Sequence, residues 1–503
     1  MTDSKVAWKR RCASINGPGD SILSPRVAVA GGGLAGLAAA AVLCETGVRV
    51  ELFEARRRLG GRATSFRDVG SGALVDHCQH VSMGCCTNLA DFCRRMGIQG
   101  RFRRDRVLHF FARDGRRCDV TAAWWLPAPL HLAPALLRLG LLSLRERITV
   151  ARALWKLART SFADGAGDEP TIGEWLRDQQ QSDAAMRRFW SVVLVSALGE
   201  SLERASASAA RKVFVDAFLA SRRGYEIEVP RVPLGELYGE EMIRRLTERG
   251  VVIHLGRRVR RVATAQDGNG DTVRAVELDD GRPHDCDAAI LAVPWKRVGE
   301  LIDAPLRARL PQVAGLERIE SSPITGVHLW LDREVTDLPH AVLVERLSQW
   351  VFRHGPRRLG EEAASTAEDP AAHHYQVVIS ASRELAGRDA SDVVAEVLGD
   401  LAAVFPAARD AGVISSRVVT QREAVFSVRP GLDSLRPSAR TEVPNLLLAG
   451  DWTDTGWPAT MEGAVRSGYL AAEAVAETFG RPLTAMQPDL PRGWLSRLLL
   501  GAC

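Results

Sequence analysis

The sequence predicts a mixed α/β protein: a doubly wound parallel sheet beside a second α+β domain that holds a mixed or antiparallel sheet and a helical insertion. Three features point there. Short β-type runs flank a glycine-rich corner and an Ala/Leu-rich helix at residues 26–54, a helical block fills about 87–220, and β-rich runs return after residue 251. The 503 residues are 46% hydrophobic and 25% charged, with 44 Gly and 24 Pro. That balance is globular and excludes collagen-like, disordered and small disulfide-scaffold chains. A chain this long forms about two or three units with a deep cleft between them.

Residues 1–25 read as a flexible lead. Arg26 to Ala30 (RVAVA) is a short strand, followed by GGGLAG and then by the helix LAAAAVLCETG, which Gly47 stops. Val48 to Phe53 is the next strand and ends at Glu54. A right-handed β-α-β crossover makes these two strands parallel neighbours. From Thr87 to Ala220 the periodicity is mostly helical, with an exposed polar break at Asp164 to Pro170. Strands are predicted at 251–255, 259–264, 272–278 and 288–293, and again at 326–331, 376–380 and 416–420. A polar Ala/His/acid-rich stretch, 361–374, interrupts the last group and places His373 and His374 in a loop. Asn445 to Ala449 opens a final strand, loop and helix that run to Gly480. There is no internal repeat.

The 66 basic residues exceed the 61 acidic ones by only five and mostly alternate with them, which argues against nucleic acid as a partner. Nine cysteines without a repeated C-x-x-C pair fit a reducing compartment, and no metal site is expected, Cys85 and Cys86 included, since on a strand they face opposite ways. The first residues contain no apolar run before a cleavage site. The most apolar stretch, Leu126 to Leu142, is short and broken by Pro127, Pro129, Pro134 and Arg138, so the chain is not expected to cross a bilayer. The expected location is cytoplasmic, with peripheral contact on the inner face of the membrane as an open reading.

Chemistry enters at Gly31-Gly32-Gly33-Leu34-Ala35-Gly36, a G-x-G-x-x-G between strand and helix. Gly31 permits the tight turn, Gly33 lets backbone approach a pyrophosphate, and Gly36 allows helix to pack on strand. Phosphates then sit at the positive end of the helix. Glu54 lies 23 residues after Gly31, where a carboxylate accepts from both hydroxyls of an adenosine ribose and disfavours a 2′-phosphate. The plain alternative is a structural turn. A second glycine turn, Glu54-Ala55-Arg56-Arg57-Arg58-Leu59-Gly60-Gly61-Arg62, favours the longer FAD over NAD, while Arg57 and Arg58 also read as solvated charge.

These two turns, the segment Val75 to Met83 (VDHCQHVSM) and the late AGDWTDTGWPATMEGAVRSG resemble the flavin amine oxidase and phytoene desaturase superfamily, most closely its squalene-associated branch, the hydroxysqualene dehydroxylases. The resemblance spans about Arg26 to Phe479. It implies a Rossmann-like FAD-binding domain assembled from 26–86, 225–300 and 440–480, a substrate domain from 87–224 and 301–439, and a tail at 481–503. It places Gly31, Gly33 and Gly36 on the pyrophosphate, Glu54 on the ribose, and Arg56, Gly60, Gly61 and Arg62 near the phosphates and flavin. Val259 meets the adenine through its backbone, Gly450 and Asp451 serve the ribityl-phosphate region, and Met461, Glu462 and Ala464 open a helix toward the isoalloxazine. His77 and Cys78 stand where the family has Asn and Gly, and Cys86 stands where it has an aromatic residue.

The branch implies that an allylic C30 alcohol, hydroxysqualene, loses its hydroxyl and receives hydride from reduced flavin, giving squalene and water. That requires a dry apolar pocket, an acid for the leaving hydroxyl and an electron donor for FAD. Asp76, His77, His80, Asp454 and Glu462 are the candidate acids, each more readily read as a cofactor or backbone partner, so no catalytic residue is assigned. Cys78 and His80 also raise the question of covalent cofactor attachment. Trp124, Trp125, Leu126, Leu130, Leu132, Leu136, Leu137, Leu139, Leu141 and Leu142 form an apolar cluster beside Arg138, Arg145, Arg147 and Arg152. It reads either as a buried helix pair or as a membrane-facing surface, and the basic amphipathic tail Trp494 to Leu500 reads the same two ways. The competing functions are a carotenoid-type desaturase, an amine oxidase, disfavoured by only four Tyr, and a flavin-free escort of prenyl chains.

Overall fold

The computed structural model describes residues 24–162, 169–267, 270–357 and 372–500. The expected lead to residue 23, most of the polar break at 164–170 and residues 361–371 lie outside these ranges. Five parallel strands form the first sheet, in the order Val252–Leu255, Arg49–Glu54, Arg26–Ala30, Ala288–Leu291 and Leu446–Leu448. Val29 of the central strand stands opposite Leu52 on one side and Ile290 on the other. Val27 to Ala30 are all buried, the unbroken apolar run of a parallel strand covered on both faces.

The helix Leu34–Leu43 is buried along its whole length. Small residues let it lie directly on the helix Met461–Thr478: a Cβ at Gly468 would come within 2.2 Å of the Ala35 carbonyl oxygen. The helix Thr87–Arg95 lies just beyond residue 86, where the first FAD-domain segment was expected to end. Its Leu89, Phe92 and Cys93 join the same core as the two glycine-flanked strands.

A three-stranded antiparallel sheet, Val259–Asp267, Gly270–Leu278 and Pro283–Asp285, shares a core with the short helices after Pro294. The largest sheet has seven strands, in the order Val413–Phe426, Ser321–Leu331, Ala372–Ser380, Trp350–Arg357, His340–Leu343, Leu108–Phe111 and Arg117–Val120. All its pairs are antiparallel except His340–Leu343 with Leu108–Phe111. The period of two along a strand gives it two uses. Val377 and Ile379 face the covering helix Ala390–Val404, while Val378 and Ser380 line a cavity on the opposite side.

Helices roof that cavity. Leu144–Arg159 starts with a capping box in which the Ser143 hydroxyl accepts from the Glu146 N–H and Glu146 accepts from the Ser143 N–H. Ser191–Leu198 is joined by Ala207–Lys212, which runs into a π-helical segment, Val213–Leu219. Trp190 anchors the group, fully buried, donating from Nε1 to Gln181 Oε1 at 2.9 Å and meeting Phe214 edge-on at 5.0 Å.

The structure corrects three expectations. Phe102–Asp105, Leu108–Phe111 and Arg117–Val120 are strands within the stretch read as helical. Arginines mask their alternation, and the hairpin signal was the Asp114-Gly115 turn, with Gly115 at φ +81°. His373 and His374 begin the strand Ala372–Ser380, where His374 stacks on Trp330 at 4.8 Å between centroids; local polarity gave way to strand pairing. Cys85 and Cys86 lie in a turn, not on a strand, and Cys86 stands at the N-cap position of the helix Thr87–Arg95 without a side-chain cap bond.

Two outcomes follow for stability. Gly468→Leu drives a side chain into the Ala35 carbonyl and should lower the unfolding free energy by about 1–3 kcal/mol, read from the urea midpoint. His131 is fully buried, and its desolvation, with the Arg222 charge second, lowers its pKa to about 4. The unfolded chain takes up a proton near pH 6.5 that the folded chain refuses, so stability falls as pH drops from 6.5 toward 4. The thermal midpoint should fall across that window, and more shallowly in His131→Leu.

Candidate active site

The carboxyl ends of the parallel strands meet at two glycine corners. Ala30 leads into Gly31, whose N–H donates to the Phe53 carbonyl at 2.8 Å and whose φ of +113° with a Cβ site 2.4 Å from Ala292 O excludes any side chain. The second corner returns against the first. Gly60 N–H donates to Gly32 O at 2.9 Å, and a Cβ at Gly61 would stand 3.0 Å from the Gly33 Cα. Glu54 ties both corners at the end of its strand: one carboxylate oxygen accepts from the Gly32 N–H and the other from the Arg56 N–H, each at 2.8 Å.

Arg62 extends the contact across the molecule. It donates to Ala424 O of the seven-stranded sheet at 2.9 Å and to Asp451 at 2.5 Å. Asp451 is buried and follows Gly450, whose N–H donates to the Ser467 hydroxyl at 2.8 Å. The Thr460 hydroxyl caps the following helix by accepting from the Gly463 N–H at 3.0 Å.

These corners border a cavity of about 910 Å³. Gly31, Gly33, Glu54, Arg56, Gly60, Gly61, Arg62, Val259, Gly450, Asp451, Met461, Glu462 and Ala464 all line it. Gly36 does not; a Cβ there would stand 2.0 Å from Gly31 O, so its smallness serves the packing of helix on turn. Glycine backbone, Glu54 and the cations Arg56, Arg62 and Arg258 suit an elongated diphosphate ligand with a ribose at the acid. The missing Cβ atoms leave the cradle that such a group fills.

Beyond the corners the walls turn apolar. Leu130, Leu132, Leu136, Leu139 and Leu141 line the cavity, whereas Leu142 is in the core and Trp124, Trp125 and Leu137 face outward. The sequence cluster thus divides between lining, core and surface. Phe189, Val192, Val193, Phe214, Ala217 and Phe218 complete the roof, and Ile324, Trp350, Phe352 and Val378 the floor. The sequence reading missed these walls because an apolar helical stripe looks the same whether it faces a core or a cavity.

The candidate acids are mostly occupied. Asp76 accepts from the Ser65 hydroxyl at 2.5 Å and the Leu234 N–H at 2.9 Å. Glu462 is fully buried and accepts from Leu89 N–H, Asn88 and Arg466 at the foot of the Thr87–Arg95 helix. Asp454 is exposed and does not line the cavity. His77 and His80 do line it; burial holds both below the ordinary imidazole range, and their Nδ1 atoms lie 3.1 Å from Thr64 O and 2.9 Å from Cys78 O. Burial, then the Asp76 charge, pushes the Cys78 thiol up to about 12, so it stays protonated and unreactive at neutral pH.

The family model described as flavin containing amine oxidoreductase matches residues 34–476. The chain is 25% identical over 468 residues to the 15-cis-phytoene desaturase of Solanum lycopersicum, covering 90% of this chain and 78% of that one. It is 27% identical over 461 residues to the hydroxysqualene dehydroxylase of Rhodopseudomonas palustris, covering 90% and 99%. The solved cyclohexylamine oxidase of Brevibacterium oxydans has a similar fold, with a TM-score of 0.66, 18% identity and coverage of 91% and 100%. With a glycine-lined diphosphate cradle at the strand ends and a family match over most of its length, the chain belongs to the flavin containing amine oxidoreductases and is an FAD-dependent oxidoreductase.

Proposed function

We propose that this oxidoreductase acts on a long isoprenoid and is a reductive dehydroxylase, converting hydroxysqualene to squalene in squalene and hopanoid biosynthesis. The observation that carries this reading is the cavity itself: one continuous space that starts at the glycine corners and extends between apolar helices and an apolar sheet face. Such walls offer a flexible polyene shape and dryness and few hydrogen bonds. Similarity to hydroxysqualene dehydroxylases at 27% identity over 99% of their length, against 24% and 23% for full-length carotenoid desaturases, supports the dehydroxylase form.

In this reading the two glycine corners and the Leu34–Leu43 helix start hold the diphosphate of FAD. Glu54 takes the ribose, Arg62 and Asp451 fix the ribityl side, and the Val259 backbone meets the adenine. The N-terminus of the Met461–Thr478 helix lends positive potential to the isoalloxazine end. When bound and reduced, FAD would supply the hydride pair to the carbon as the C–O bond breaks, the hydroxyl leaving as water with one proton taken from solvent. The chain's own walls keep water from the reacting carbon and align the polyene along the cavity. An electron donor restores the reduced cofactor.

The second reading, a carotenoid-type desaturase, draws support from relatives such as the phytoene desaturases and uses the same apolar channel. A flavin-free escort protein does not accord with a flavin-containing family.

Two measurements test the proposal. Holoprotein given reduced flavin and hydroxysqualene should release squalene, detected by gas chromatography of the extract; turnover of phytoene by oxidised holoprotein, with hydroxysqualene untouched, overturns the dehydroxylase reading in favour of the desaturase. Glu54→Ala removes a charge-assisted hydrogen-bond acceptor and should weaken FAD binding by about tenfold to a hundredfold in a fluorescence titration of apoprotein. Unchanged affinity removes Glu54 from the ribose.

A further inference from the structure

The large exposed apolar side chains gather in one region. Of the thirteen such residues among the described ones, nine come from 124–155 and 494–498. Trp124 is 81% exposed, Trp494 70% and Leu498 71%, with Trp125, Leu137 and Trp155 also more than half exposed. A soluble surface rarely groups four tryptophans and several leucines this way without a partner.

The two stretches form a single face. Gly493 N–H donates to Ala220 O at 3.0 Å, and a Cβ at Gly493 would stand 3.6 Å from the Ala128 Cβ. Ser496 donates to Leu219 O at 2.9 Å, and Arg159 reaches from the helix Leu144–Arg159 to Leu499 O at 3.0 Å. The last helix, Trp494–Leu500, is thereby fixed against the cavity roof. Leu130 and Trp155 are both exposed and cavity-lining, and Leu499 and Leu500 line the cavity from the last helix. The face therefore surrounds a mouth of the cavity.

Its charge selects the partner. Residues 121–162 carry six cations, Arg138, Arg145, Arg147, Arg152, Lys156 and Arg159, against one acid, Glu146, which is engaged in the capping box. Arg147 and Arg159 donate to main-chain carbonyls, and neither pairs with an acid among the described residues; Arg159 lies over the Trp155 ring at 5.1 Å. The last helix adds Arg497 and no acid. Aromatic and leucine side chains interleaved with cations match the boundary of a bilayer whose headgroups are anionic. A second copy of the chain would set like charge against like.

We propose that this face docks on an anionic bilayer and that the cavity opens there, so that apolar substrate and product pass between lipid and cavity without crossing water. The docking stands on the surface alone; the passage of substrate rests on the isoprenoid reading above. The test floats purified holoprotein with vesicles of phosphatidylcholine alone or mixed with phosphatidylglycerol. Protein should float with the mixed vesicles, less so as salt is raised. The triple variant Trp124→Ser, Trp125→Ser, Trp494→Ser should lose at least tenfold of the bound fraction with its flavin spectrum and thermal midpoint unchanged.

Absence of flotation with mixed vesicles overturns the proposal, as does a triple variant that binds like the parent. A concentration-dependent dimer in sedimentation that the triple substitution abolishes, without vesicle binding, assigns the face to a second copy instead. Vesicle binding without turnover of any isoprenoid leaves the docking in place and removes the substrate reading. Turnover of detergent-dispersed hydroxysqualene without vesicle binding removes the docking alone.

Discussion

The contact on which the site depends is the approach of two glycine corners. Gly60 donates to Gly32, and the Cα of Gly33 stands where a Cβ on Gly61 would nearly touch it. No other residue type allows two chain reversals to close on each other at this distance. Glu54 locks the pair by accepting from a backbone N–H on either side, so a residue assigned to the ribose also holds the cradle in shape. Arg62, the residue after Gly61, converts this local closure into a long-range one. Its two hydrogen bonds join the corner to the seven-stranded sheet and to buried Asp451, so the parallel sheet and the cavity floor are fixed relative to one another at the point where cofactor and substrate would meet.

The cavity divides its physical work along its length. Near the strand ends recognition comes from backbone, one carboxylate and several cations, which suit a charged and rigid ligand. Farther out it comes mostly from side-chain volume, with the paired Lys212 and Asp216 set among the apolar roof residues. Burial sets this boundary and has a chemical consequence: it holds His77 and His80 below their ordinary range and pushes Cys78 up, so these groups are neutral at neutral pH. Glu462, at the cavity wall, has its oxygens engaged on the Thr87–Arg95 helix start and on Arg466.

The parallel sheet was legible because its strands are short, apolar and bounded by glycine, proline or acid. Arg26 to Ala30 and the 288 strand begin where the pattern places them, and the 251–255 and 445–449 strands each begin one residue later. The corners were legible for the same reason, since few uses require three glycines at that spacing. The Arg-rich hairpin at 108–120 was not, because side chains that pair at a sheet edge need no apolar alternation, and the cations between its short apolar runs read as helix. His374 misled because a histidine in a polar stretch gives no sign of the ring stack that buries it. Gly36 was recognised as a packing glycine, and the structure shows that packing: a Cβ there would stand 2.0 Å from Gly31 O. The cavity walls were the least legible part, because their residues come from helices that are distant in sequence and chosen by volume.

That difference in legibility follows from what each half of the cavity must specify. A cofactor common to dehydrogenation and dehydroxylation demands the same backbone shape in every chain that holds it, so its residues form short, recognisable motifs. The direction of hydride movement is set by the oxidation state of the flavin and by whether the substrate carries a leaving group, and neither requires a new motif in the protein. What the chain can select is which molecule fits beside the cofactor cradle and how deep it enters, through the bulk of Phe189, Phe214, Phe218 and the leucines at 130–141. Exchanges among large apolar side chains alter such a channel at little cost to stability, so its shape can diverge while composition and periodicity stay the same. Substrate identity in this architecture is therefore written in volumes and not in functional groups.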